Sequence, residues 1–236
     1  NPYHNFNHGV HVMHGAYLHV LAGTGEHARL LSPLEVLALL TAAIGHDVEH
    51  PGVTNAFLSQ THAPLAVLYN DRSVLENHHA ATTFHILSKP NSQFLGTLSE
   101  AQYRECRELI VATILATDMA HHKSMVTELS QHAAGQAPMP PVDVLRALCH
   151  LSDLGNVVLS WQFAKQWAAA IGAEIVSQSL VEQSLGFEPT SSTKLVPYTE
   201  EELAARQLVF IDDWVWPLYK VAAILFPGAK NRLAEL

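Results

Sequence analysis

The stretch SPLEVLALLTAAIGHDVEHPG, Ser32 to Gly52, decides the fold and holds the first sign of chemistry. Ser32 is an N-cap residue, Pro33 follows at the first helical position, and Glu35 stands where a capping box places its carboxylate. Apolar residues continue to Ile44, so the spacing predicts a buried helix ending near His46. There the chain turns polar, and Pro51-Gly52 closes the element, with His50 one turn beyond His46 on the same side. His46 and Asp47 present an imidazole and a carboxylate from one rigid point. That donor mix suits Zn²⁺ or, through oxygen, a harder ion such as Mg²⁺. Helix-end capping also accommodates such a pair, but the apolar helix would then lead into the cluster oddly exposed.

Working outward, the helical period recurs. It runs from about Ser99 to Thr117, with Ser99 as cap and Leu109, Ile110, Ile114 and Leu115 in step, which puts Asp118 at the C-terminal end. Ala134 to Pro141, with Gly135, Pro138, Pro140 and Pro141, reads as a loop between helices. Val142 to Trp167 returns to helical spacing, and Ser184 to Thr199, rich in Ser, Thr and Pro, interrupts it. Leu203 to Leu225 reads as a final long helix kinked or broken at Pro217. With no strand alternation and no internal repeat, the predicted fold is all-α, a compact multi-helix domain.

The composition sets limits on function. The chain has 236 residues, 48% hydrophobic and 15% charged, which predicts a single globular domain over 1–236. A net charge of −9 with 13 Lys and Arg argues against a nucleic-acid polymer as partner. It also makes an anionic small substrate awkward unless bound cations invert the local field. Cys106 and Cys149 sit in apolar helical patterns, as inert core thiols, and their scarcity points to a reducing, cytoplasmic compartment. The longest apolar run, Val36 to Gly45, is broken by Thr41 and falls short of the ~20 residues that span a bilayer, so no membrane contact is expected from this segment. The chain starts at Asn1 rather than Met, so it is expected to be excised from a longer protein, with regulatory or membrane-tethering segments outside it.

The 16 histidines cluster. In YHNFNH, Tyr3 to His8, two imidazoles lie four apart and share one face if the segment is helical, although a histidine-rich surface turn fits this hexapeptide too. In CHLSDLGN, Cys149 to Asn156, Asp153 interrupts the apolar face of Leu148, Leu151 and Leu154. A buried carboxylate there needs a partner or a metal. His8, His46, Asp47 and Asp153 make a plausible four-ligand set.

In this order and separation the motifs resemble the class I 3′,5′-cyclic nucleotide phosphodiesterases, a branch of the HD metallohydrolase superfamily. YNDRSVLENHHA (Tyr69 to Ala80), ILATDMAHH (Ile114 to His122) and QLVFIDDWVWPLY (Gln207 to Tyr219) strengthen the resemblance, which runs from Asn1 to about Gly228 and is weakest between Ile175 and Arg206. It implies an all-α HD/PDEase-type catalytic domain, here without some outer N- and C-terminal helices. It implies that His8, His46, Asp47 and Asp153 hold a tight Zn²⁺. Asp47 would also reach a second ion, Mg²⁺ or Mn²⁺. Two cations of this kind neutralise phosphate oxygens and supply the attacking hydroxide. The implied reaction opens the 3′ ester of cAMP or cGMP to give the 5′-monophosphate.

The resemblance further implies His4 as general acid, held by Glu76, with His50, Thr117 and Asp118 holding metal-bound waters. Gln207 would read the purine edge, Phe210 and Ile171 would sandwich the ring, and Asn156 and Tyr3 would line the pocket. Taken singly, Glu76 also fits a surface carboxylate, and Ile171 and Phe210 fit ordinary core. His78 and His79 are read as structural. Three departures stand out: His11 where many members carry an acid, Val157 after Asn156 where cAMP-preferring relatives often have proline, and a poorly matching Ser177 to Thr199. These leave the metal chemistry intact and base preference open, with a lean to cAMP from Asn156. Two other readings share part of this evidence. Another HD-type nucleotide phosphohydrolase would use His46, Asp47 and Asp153 but leaves Gln207 and Phe210 unexplained, and a non-catalytic cyclic-nucleotide sensor leaves His4 and Glu76 unexplained.

Overall fold

The computed structural model describes residues 1–23, 31–136, 138–189 and 196–233, and among these there is no strand. The chain runs through α1 (Phe6–Ala22), α2 (Pro33–Gly45), α3 (Asn55–Gln60), α4 (Pro64–Leu68), α5 (Val74–Leu87) and α6 (Glu100–Leu115). It continues through α7 (His122–Ala133), α8 (Pro141–Asp153), α9 (Trp161–Ser184), α10 (Glu200–Phe210), α11 (Trp216–Leu225) and α12 (Pro227–Leu233).

The helix that decides the fold forms as its sequence predicts. Ser32 Oγ accepts from the Glu35 amide at 3.3 Å, and the Glu35 carboxylate accepts from the Ser32 amide at 2.7 Å, a complete capping box. α2 then packs against α1, α6 and α8. Leu39, Ile110, Ile114, Leu145, Leu148 and Leu151 close the core around it, each fully buried and each stabilising the fold by about 2 kcal/mol. Two glycines let the neighbours come close. A Cβ on Gly9 of α1 would lie 3.1 Å from the Ile44 carbonyl oxygen, and one on Gly45 would lie 2.5 Å from Thr83 Oγ1 of α5. Both approaches sit at the C-terminal end of α2, where the polar motif begins.

α6 starts at the Ser99 cap, which forms a second capping box with Gln102, and Asp118 follows its C-terminal end. α7 ends at Ala133 and α8 starts at Pro141, so the Gly/Pro-rich stretch connects two helices, with Ala137 outside the described residues. The Ser/Thr/Pro-rich stretch separates α9 from α10, and its residues 190–195 lie outside the described residues. Cys106 and Cys149 are free and buried. No helix among the described residues is long and apolar enough to cross a membrane.

Two helix predictions need correction. The pattern from Val142 to Trp167 is two helices joined by a 3₁₀ turn, Leu154–Val158. Periodicity did not show the break because Leu154, Val157 and Val158 stay buried through it. The pattern from Leu203 to Leu225 is α10, a π turn at Ile211–Val215, and α11, with Pro217 near the start of α11. Pro217 has no N–H to offer the carbonyl one turn back, and the widened π turn lies where that bond is missing. Nor is α11 the last helix: Phe226 turns extended before Pro227, and α12 follows.

Candidate active site

The C-terminal end of α2 fixes the first ligand. His46 Nδ1 donates to the Ala43 carbonyl at 2.9 Å, one of the carbonyls a helix end leaves without a partner. That bond places the proton on Nδ1 and turns the Nε2 lone pair inward. Nε2 lies 3.1 Å from Asp47 Oδ2 and 3.3 Å from Asp153 Oδ1, yet it is buried and makes no hydrogen bond. His8 reaches the same point from the first turn of α1, whose start is held by the Asn5 side chain. Its Nε2 is 3.0 Å from Asp153 Oδ1 and 3.2 Å from Asp47 Oδ2. Asp153 closes α8. All four ligand atoms lie within 4.8 Å of one another.

Two imidazole nitrogens, one with its lone pair free, and two carboxylates around one buried point fit a divalent cation. Burial would push the carboxyls of Asp47 and Asp153 up, but the His46 and His8 imidazoles outweigh it and hold both below the usual carboxylate range. Burial likewise works against the charged forms of His8 and His46, and the two carboxylates outweigh it and raise both, so a cation bound between them would take the place of the proton on each Nε2.

His4 precedes the Asn5 cap, so it does not share a helical face with His8. Its Nδ1 hydrogen-bonds Glu174 Oε1 of α9, and Glu174 Oε2 accepts from the Tyr3 and His4 amides, each at 3.1 Å. Burial pushes the Glu174 carboxyl up, but the His4 side chain and these amides outweigh it and lower it. His4 Nε2 lies 4.0 Å from Asp47 Oδ2. His50 stacks on the His4 ring, with centroids 3.8 Å apart and planes at 15°. Its Nδ1 accepts from the Gly52 amide at 3.0 Å, and burial holds it neutral, down at about 3, so Nε2 keeps its proton.

This geometry corrects the expected partner of His4. Glu76 accepts from Asn55 Nδ2 at 2.9 Å, and burial raises its carboxyl to about 7. The carboxylate on His4 is Glu174.

The model of the 3′5′-cyclic nucleotide phosphodiesterase family matches residues 3–236. The chain belongs to that family. It is 36% identical over 248 residues to the probable 3′,5′-cyclic-AMP phosphodiesterase pde-4 of Caenorhabditis elegans, covering 100% of this chain and 36% of the relative. It is 34% identical over 237 residues to the mouse dual specificity calcium/calmodulin-dependent 3′,5′-cyclic nucleotide phosphodiesterase 1B, covering 100% of this chain and 43% of that one. The phosphodiesterase domain of the RhoPDE fusion protein from the choanoflagellate Salpingoeca rosetta superposes with a TM-score of 0.92 at 31% identity, over 100% of this chain and 75% of that one. The chain thus spans less than half the length of these two curated relatives.

Within this phosphodiesterase chain the remaining predicted positions divide. Thr117 and Asp118 are buried beside the N-terminus of α5. Thr117 Oγ1 donates to the Ile114 carbonyl at 2.8 Å, and Asp118 accepts from Ser73 Oγ at 2.7 Å and from the Ala120 amide at 2.9 Å. Gln207 and Phe210 are half-buried on α10, and Ile171 is half-buried on α9, against which α10 packs. Tyr3 and Asn156 are both buried, and Asn156 Nδ2 donates to the Tyr3 hydroxyl at 2.6 Å, so they face each other. Sequence reasoning missed Glu174. Its signal was present: it is the sole charged residue between Lys165 and Glu182, a stretch of α9 otherwise apolar or neutral. It also missed Trp167, whose ring meets those of Tyr3, His8 and His11 at 5.6, 5.9 and 5.5 Å.

Proposed function

We propose that this chain hydrolyses the 3′ phosphoester of a 3′,5′-cyclic nucleotide to the 5′-monophosphate. The observation that carries the proposal is the juxtaposition of two units: a buried ring of His8, His46, Asp47 and Asp153, and an imidazole, His4, anchored by Glu174 and facing Asp47. His8, His46, Asp47 and Asp153 would hold the tight Zn²⁺, and Asp47 would reach Mg²⁺ or Mn²⁺. Cations held there would neutralise phosphoryl oxygens and supply a nucleophilic oxygen from water. The ester needs a proton on its leaving 3′ oxygen. With Nδ1 engaged by Glu174, the proton that His4 delivers is the one on Nε2. His50, stacked on His4 with its Nε2–H fixed, limits the imidazole to one orientation.

Gln207 offers the purine edge both a donor and an acceptor, and Phe210 and Ile171 supply apolar faces for the ring. The relatives are named for cyclic AMP and for both cyclic nucleotides, and our reading leans to cAMP. The buried free thiols of Cys106 and Cys149 fit a reducing, cytoplasmic setting. Incubation of the Mg²⁺-supplemented protein with cAMP and cGMP, followed by chromatography, tests the proposal: 5′-AMP or 5′-GMP is expected. A metal-loaded protein that turns over neither nucleotide would refute it.

A further inference from the structure

One face of α9 lines the cleft. Trp167, Ile171, Glu174 and Gln178 follow one another at helical spacing, so their side chains leave α9 on the same side. Trp167 meets the rings of Tyr3 and His8, Ile171 is offered to the base, and Glu174 holds His4. Gln178, one turn beyond Glu174, is 7% exposed and has no part yet in the proposed reaction.

Its partner is the loop that follows His50. Residues 51–54 belong to no helix. Pro51 has no N–H, and the Gly52 amide donates within the loop, to His50 Nδ1 at 3.0 Å. The Thr54 amide instead reaches out of the loop and donates to Gln178 Oε1 at 2.8 Å. The other end of the Gln178 side chain fixes that orientation. Its Nε2 donates to Glu182 Oε1 at 2.8 Å and to Thr54 Oγ1 at 3.3 Å, which leaves Oε1 as the atom facing the Thr54 N–H. A buried side chain of α9 thus fixes an exposed residue of the loop.

Glu174 and Gln178 act on the two sides of one contact. Glu174 holds His4, and Gln178 holds the chain four residues beyond His50. The two anchors lie one turn apart on the same helix, a rise of about 6 Å. The rings they serve stack with centroids 3.8 Å apart and planes at 15°. Such a face-to-face contact has no direction of its own and follows the two backbones that carry it.

We infer that Gln178 is a positioning residue for the proton transfer: by fixing Thr54 it holds His50 against His4 and so keeps the His4 Nε2–H aimed at the leaving 3′ oxygen. Its effect on rate rests on the hydrolytic reading, whereas the ring geometry it sets is measurable without turnover. A displacement of about 1 Å in such a group costs up to about 100-fold in rate. The ring of His8, His46, Asp47 and Asp153 includes none of the residues involved, so metal binding should not change.

The test compares Gln178→Met, which keeps the length of the side chain and removes its acceptor and donor, with Gln183→Met at an exposed position of the same helix. In the metal-loaded protein Gln178→Met should lower kcat at least about tenfold, with KM within about twofold and metal content at the wild-type value. Gln183→Met should change none of these. With ¹⁵N-labelled histidine, the His4 and His50 ring resonances should move in Gln178→Met while those of His8 and His46 stay. In the unaltered protein the Thr54 amide should exchange with solvent at least about tenfold more slowly than an unbonded amide, a measurement that stands whether or not Gln178→Met folds. Unmoved His4 and His50 resonances, an unprotected Thr54 amide, or a rate loss wholly accounted for by KM or by lost metal would each overturn the inference. Absence of turnover in the unaltered protein would count against the hydrolytic reading instead, and the resonances would still decide what Gln178 holds.

Discussion

Glu174→Gln keeps the shape of the His4 anchor and removes its charge. In the structure Glu174 Oε1 pairs with His4 Nδ1, and Oε2 accepts two amides at 3.1 Å. A glutamine can still accept from the amides through its carbonyl oxygen, but its NH₂ then faces the imidazole N–H, donor against donor. What is lost is one charge-assisted hydrogen bond, about 1.5–3 kcal/mol, with little change in packing. If that bond orients the proton donor in the transition state, kcat falls about 10- to 100-fold, at about 1.4 kcal/mol per factor of ten. The assay is steady-state hydrolysis of cAMP and cGMP, with metal content measured on the same samples, since the ligand ring does not include Glu174. The comparison that decides is Glu76→Gln, which leaves the His4–Glu174 bond in place. Near wild-type turnover in Glu174→Gln together with a crippled Glu76→Gln would refute the reasoning and restore Glu76 as the partner that matters.

The other predictions follow from the same geometry. His4→Ala should lower turnover far more than metal content, whereas Asp47→Ala should lose metal by elemental analysis; unchanged turnover in His4→Ala would remove it as the acid. Gly45→Ala should destabilise the fold by about 1–3 kcal/mol, because its Cβ would lie 2.5 Å from Thr83 Oγ1, and adding Thr83→Ala should recover part of the loss in urea melts. His19 and His150 are buried, and burial lowers each to about 4, against an ordinary 6.5. Between pH 6.5 and 4 the unfolded chain therefore binds protons that the folded chain does not. Stability is full above the unfolded value and falls as pH drops through this window, by up to about 3 kcal/mol per histidine. Urea midpoints should decline from pH 7 to 5, and His19→Gln should flatten that decline; an unchanged slope would remove His19 from the account.

The helices that were legible are those whose ends carry their own chemistry. Ser32 with Glu35 and Ser99 with Gln102 declare two starts, because a capping box is local in sequence. The 3₁₀ turn after Asp153 left no such mark, since buried apolar residues keep their spacing through it, and the π turn before Pro217 adds only one residue per turn to a continuous helical pattern. The same division holds at the candidate site. His46 and Asp47 stand out as neighbours at the end of an apolar helix. Glu174 meets His4 across a separation of 170 positions, a pairing set by where α9 crosses the N-terminal segment. The family resemblance favoured Glu76, which lies in a recognisable motif, over an acid at the margin of the poorly matching stretch.

The end of α2 shows why fold and ligand chemistry were readable in one stretch. A helix that stops leaves its last carbonyls without partners, and the Ala43 carbonyl finds one in His46 Nδ1. The bond that satisfies the helix end is also the one that turns the His46 Nε2 lone pair toward Asp47 and Asp153. Its precision depends on the last turn of α2 being immobile. Ile44 lies against Gly9 of α1, and Gly45 lies against Thr83 of α5. Gly9 is the residue after His8, so the contact that holds the end of α2 also sets the distance between the two imidazoles. Enlarging either glycine should therefore disturb metal affinity as well as stability. If Gly45→Ala lowers the urea midpoint while metal affinity stays at the wild-type value, then the ligand ring is held by its own four side chains and not by the helix end.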